Sequence, residues 1–127
     1  MVGRWYSYDF SARCIVFRRL QWMGSSETDF GAMPATARDR LRLALTYACR
    51  GLKHPAARAL GGCGDAGILE VITERAGFAY WLVYSVRYVD TVYVLHCCRQ
   101  HPGEYKDLHA VKAALQAVEL FKRGGLA

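Results

Sequence analysis

Apolar residues in this chain recur at helical spacing in its first and last parts and alternate through its middle. Cys14 to Met23, CIVFRRLQWM, reads as a first strand whose apolar pattern Arg18 and Arg19 interrupt, and Gly24-Ser25-Ser26 ends it. Ser26, with Asp29 three residues on, has the form of an N-cap and predicts a short helix reaching about Ala32. Pro34 suits the first turn of a second helix, where its missing N–H has no intrahelical partner. Leu41, Leu45, Ala48 and Leu52 make one stripe of that helix, with Arg40, Arg42 and Arg50 off the stripe and toward water. Lys53-His54-Pro55 closes it. Residues 56–67 hold Gly61, Gly62, Gly64 and Gly67 and predict a loop.

Strands follow at Ile68–Thr73, Tyr80–Val89 and Val92–Cys98, rich in Val, Ile and Tyr. Asp90-Thr91 reads as a two-residue hairpin turn, which would pair Val89 with Val92, Arg87 with Val94, Ser85 with His96 and Val83 with Cys98. Trp81, Val83, Ser85, Arg87, Val94, His96 and Cys98 then share one face, the candidate working surface. Tyr80, Leu82, Tyr84, Val86, Tyr88, Tyr93, Leu95 and Cys97 form the apolar face expected to take the helices. After a polar loop from Arg99 to Lys106, Asp107 can cap a last helix with its stripe at Val111, Leu115, Val118 and Phe121, ended by Gly124-Gly125. The expectation is an α+β fold: a small, mainly antiparallel four-stranded sheet flanked by helices. It spans residues 1–127 as one domain, with 1–12 as an N-terminal extension.

Composition narrows the function. Lys and Arg total 17 against 11 Asp and Glu, a net charge of +6, which favours an anionic partner such as nucleic acid or an acidic protein. The five cysteines are odd in number, contain no Cys-x-x-Cys and include the adjacent pair Cys97-Cys98, so they are not a disulfide framework. Reduced thiols, and an N-terminus without an apolar run of signal-peptide length, lead to an expected cytoplasmic location. Gly77 to Val86 is far short of the ~18 apolar residues that span a bilayer, so no membrane partner is expected. GGCGDAG lacks the lysine and Ser/Thr of a P-loop and precedes a strand. His96, Cys97, Cys98 and His101 invite a zinc reading, but neighbours on a regular strand point to opposite faces. No metal and no cofactor are expected. Nothing in the sequence lowers the Cys98 thiol pKa for nucleophilic work with His96.

LQWMGSS, a helix pair, KHPAARALGGCGDAGILEV and then YWLVYSVRYVDTVYVLH, in that order, resemble the HigB-like, phage-derived branch of the RelE/ParE toxin superfamily over about residues 19–120. The resemblance implies a RelE-like (microbial-RNase-like) core and the toxin of a type II toxin–antitoxin system. Its partners would be a helix-turn-helix antitoxin and mRNA on the ribosome. The implied activity is that of a metal-independent endoribonuclease (mRNA interferase), in which the message's own 2′-hydroxyl attacks the adjacent phosphate. Basic side chains would stabilise the phosphorane and a proton donor would serve the leaving oxygen. By resemblance the catalytic set is Arg87, His96, Arg99 and Tyr105, which falls six residues after Arg99, with His101 and Lys106 as RNA contacts. The sequence departs from the pattern at Trp81, where an arginine is usual, and at Glu70, Val71 and Ile72, where lysines are usual. Two other functions follow from those departures. One is a non-enzymatic toxin, gyrase-directed or binding only its antitoxin. The other is an RNA-binding module that stacks bases on Trp81 and Tyr105.

Overall fold

The computed structural model describes residues 17–104 and 106–124. Residues 1–12 and 14–16 of the sequence reading, and Tyr105, lie outside the described residues. The element order is β1 (Arg19–Trp22), α1 (Ser26–Gly31), α2 (Ala35–Cys49), β2 (Arg58–Ala59), β3 (Ile68–Arg75), β4 (Phe78–Ser85), β5 (Thr91–Gln100) and α3 (Leu108–Lys122). The sheet runs β1-β5-β4-β3-β2, antiparallel except for the parallel β1–β5 pair. This is the expected α+β architecture with one more strand. Arg58 and Ala59, inside the glycine-rich stretch read as loop, pair with Glu70 and Leu69. Two residues are too short to carry a strand pattern.

Helices cover both faces of the sheet. Leu41, Ala44, Leu45 and Ala48 of α2 and Phe30 of α1 pack on Leu69, Val71, Tyr80, Leu82, Tyr84, Val92, Val94 and Cys97. On the other face Val111 and Val118 of α3 pack on Ile68, Trp81, Val83, Tyr93 and Leu95. The helical stripes hold except at their ends: Leu52 and Phe121 are exposed, because each lies at or past the last turn. Asp107 caps α3 as expected, its carboxylate accepting from the Ala110 N–H at 3.0 Å. At α1 the cap position is Ser25 rather than Ser26; Ser26 is buried in the first turn and its hydroxyl donates to the Val94 carbonyl.

The β4–β5 register corrects the sequence reading. Val83 lies opposite His96 and Trp81 opposite Cys98, two residues from the expected pairing. The connection is not a two-residue turn. β4 stops at Ser85, whose hydroxyl accepts the Arg87 N–H, while the Val86 N–H turns to the Gly67 carbonyl. Five residues therefore separate the strands. Pairing then jumps from Val83–His96 to Tyr84–Val94, so Leu95 is an extra residue, a β-bulge. The bulge sends Val94 to the α2 face and Tyr93 and Leu95 to the α3 face, the reverse of the expected assignment. The face read as a polar working surface is thus core: Trp81, Val83 and Ser85 have no solvent exposure.

Candidate functional site

β1 pairs only with Thr91–Val94. After Trp22 the chain turns at Gly24, whose φ of 55° suits glycine, and enters α1. The outer edge of β5 from His96 to Gln100 is therefore left without a neighbouring strand among the described residues. There a cleft of about 630 Å³ opens between the α1–α2 connection and the end of the sheet. Ala32, Met33 and Pro34 form one wall; Tyr80, His96, Cys97, Cys98 and Arg99 form the other, with Asp29 at its edge. The volume lies within the ~300–1,000 Å³ usual for ligand clefts.

The bulge at Leu95 aims His96, which is half-buried with its ring edge-on to Trp81 at 5.5 Å. Burial pushes the imidazole pKa below its usual value; the charges of Asp107 and Asp29 offset this only in part. His96 is accordingly neutral near pH 7 and able to accept a proton. Arg99 is exposed, its guanidinium 4.4 Å from the centre of the Phe78 ring, and His101 stacks on the same ring at 5.2 Å. Two nitrogen-rich side chains are so held against one aromatic, and of the two Arg99 lines the cleft. Burial raises the Cys97 thiol to about 12 and the Cys98 thiol to about 11, so neither is a thiolate nucleophile at neutral pH. No group of three or more His, Cys, Asp or Glu among the described residues is placed to hold a metal ion.

Of the sequence candidates, the structure brings His96 and Arg99 to one cleft and sets His101 on the Phe78 ring that Arg99 covers. It does not bring the others. Arg87 follows the far end of β4, about 20 Å along the strand direction from the Tyr80–Arg99 pair. There it bridges Asp65 at 3.0 Å and Glu119 at 3.1 Å, tying α3 to the loop before β3. Trp81 cannot be a base platform: it has no exposed surface, and its indole N–H donates to Glu70 at 2.8 Å. Lys106 is held on both oxygens of Glu70 at 2.7 and 2.9 Å. Glu70 is itself buried and also takes Arg58 at 3.3 Å. Burial opposes its ionisation, but the hydrogen bonds from Lys106 and Trp81 and the charges of Lys106 and Arg58 hold its pKa below the usual value. The Glu70 carboxylate is thus the hub joining β2, β3, β4 and the loop before α3. Asp29, Phe78 and Tyr80 reach the site without a sequence signal, since only the fold brings α1 beside the end of β5.

No protein-family model matches this sequence, and no curated protein matches it. Among solved structures, the E. coli toxin RelE in its free state, in a form with two arginines replaced by alanine, is similar in fold. The TM-score is 0.55 at 17% identity, covering 81% of this chain and 99% of that one. The chain has a RelE-like fold. The RelE-like sheet, with its helices, places the cleft at the free end of the last strand. No helix among the described residues is long and apolar enough to cross a membrane.

Proposed function

We propose that this protein is the toxin of a type II toxin–antitoxin pair, of the HigB-like branch, and that it cleaves mRNA on the ribosome. The observation that carries the reading is the meeting of His96 and Arg99 at one cleft of a RelE-like fold, with His101 against the ring that Arg99 covers. In the reaction, the 2′-oxygen forms a bond to phosphorus and its proton passes to neutral His96. The bond from phosphorus to the 5′-oxygen breaks, and that oxygen takes a proton from Tyr105, the role given to it by its six-residue spacing from Arg99. The products are a 2′,3′-cyclic phosphate and a 5′-hydroxyl. Arg99, with His101 beside it, faces the charge that develops on the phosphorane. Arg87 and Trp81 have no part in this scheme, and Lys106 enters it only through Glu70. A helix-turn-helix antitoxin would restrain the protein in the cytoplasm.

A second reading, a toxin that acts only by binding its antitoxin or gyrase, is favoured by one observation. Glu70 and Trp81 stand where basic residues are usual, and Glu70 engages Lys106. Primer extension on cellular mRNA after induction separates the two. Discrete cuts inside translated frames, absent with Arg99→Ala, support the nuclease. Intact message accompanied by DNA-damage signalling supports the second reading and contradicts the first.

A further inference from the structure

Asp29 and Arg99 line the same cleft without pairing with each other. Among the described residues the Arg99 side chain has only its cation–π contact with Phe78. Asp29 has only one side-chain bond among the described residues, with Ser25 donating its hydroxyl to Oδ2 at 2.8 Å. That bond fixes the carboxylate's orientation and leaves Oδ1 without a donor. Asp29 lies at the edge of the cleft, and its charge is felt by His96, Cys97 and Cys98 of the opposite wall. Among the described residues, a carboxylate oxygen without a donor and a cation without an acid share one cleft, which suits a ligand that offers both a donor edge and an anion. A nucleotide is such a ligand. Ala32 and Pro34, both exposed, give a base an apolar wall to lie against.

We infer that this cleft is a base subsite and that Asp29 is its specificity-determining residue, selecting guanine. A carboxylate is acceptor-only. Guanine alone among the four RNA bases presents two adjacent, parallel donors, N1–H and the N2 amine, on its Watson–Crick edge. Adenine, cytosine and uracil each offer one donor beside an acceptor that would face the carboxylate unfavourably. The guanine sits between the α1–α2 connection and β5, with its phosphate toward Arg99 and His101. This inference rests on the RNA reading above.

The test is binding of the full chain to short single-stranded RNAs that differ at one position: guanine, inosine, adenine, cytosine or uracil. Inosine keeps N1–H and lacks the N2 amine. The expected result is that the guanine RNA binds roughly tenfold or more tightly than the inosine and adenine RNAs. Asp29→Asn, with an unchanged thermal melt, should remove that difference while leaving the weaker affinities in place. Equal affinity for all five RNAs overturns the assignment of Asp29 but leaves the RNA reading intact, as does a guanine preference that survives Asp29→Asn. No binding to any of the RNAs, alone or on programmed ribosomes, overturns the RNA reading and this inference with it.

Discussion

At the scale of single residues, the polar groups inside this protein are of two kinds. Glu70 is buried with four donor contacts, counting Lys106 on both oxygens, Trp81 and Arg58. Removing any one partner leaves the others to hold the charge. Tyr84 is the opposite case. It has no solvent exposure, and its hydroxyl has no hydrogen-bond partner among the described residues; burial lifts its pKa to about 12. An unpaired buried hydroxyl costs about 1–3 kcal/mol of desolvation. Tyr84→Phe should therefore leave the fold intact and raise its stability by up to about 1 kcal/mol, read as a higher urea midpoint at unchanged slope. A drop of more than 1 kcal/mol would mean that the hydroxyl has a partner after all. The same burial argument reassigns Trp81. Its substitution by arginine would remove a packed indole from the core under α3 rather than restore a catalytic group.

At the scale of elements, the β3–β4 hairpin turns through Ala76-Gly77 with φ of 52° and 84°. Both positive values are those of a type I′ turn, which favours Asn-Gly. An alanine held in the left-handed region costs about 1–2 kcal/mol. Ala76→Asn is expected to stabilise the protein by about 1 kcal/mol in denaturant melts; no gain, or a loss, would contradict the turn assignment. This hairpin was hard to see in the sequence because Ala-Gly is a weak turn signal. The β4–β5 connection departs from the sequence expectation for a related reason. Asp90-Thr91 resembles a turn, yet Asp90 instead accepts the Arg19 N–H on its carbonyl and Lys122 on its carboxylate, anchoring β1 and α3. Those partners are distant in sequence. The bulge at Leu95 was invisible for a different reason: valine, tyrosine and leucine suit either face, so the apolar pattern of β5 does not fix its register. His96 and Arg99 were legible as candidates because they flank the end of a clear strand. Asp29 was not, because its place depends on where β1 stops.

At the scale of the whole molecule, acidity should unfold this protein early. The His96 pKa is lowered by burial, so folding disfavours the imidazolium. That stability is complete above the usual imidazole value of about 6.5 and declines as pH falls toward the lower folded value. The Glu70 pKa is lowered as well, against its burial, by Lys106, Trp81 and Arg58. Its contribution is present above the usual carboxylate value of about 4.3 and is lost as pH falls through the folded value. The net charge of +6 can only grow over the same range. The urea midpoint should hold level between about pH 8 and 7 and fall steadily below about 6.5. A midpoint that rises toward pH 5 would contradict the His96 assignment; Glu70→Gln should flatten the fall below about pH 4.3, and an unchanged slope there would contradict the Glu70 assignment.

The proposed function is tested at the same scale, because the two arginines singled out by sequence end at opposite ends of β4. Arg99 lies at the cleft, whereas Arg87 is a strut between α3 and the loop before β3. The most direct test is the single-turnover rate of mRNA cleavage on programmed ribosomes, for the unmodified protein and for each alanine variant, at a temperature where all are folded. Arg99→Ala should slow cleavage roughly 100- to 1000-fold, the usual loss for one electrostatic contact to the transition state. Arg87→Ala should stay within a few-fold of the unmodified rate. Cleavage by Arg99→Ala at the unmodified rate, or its loss in Arg87→Ala alone, would contradict the placement of the active site at the free end of β5.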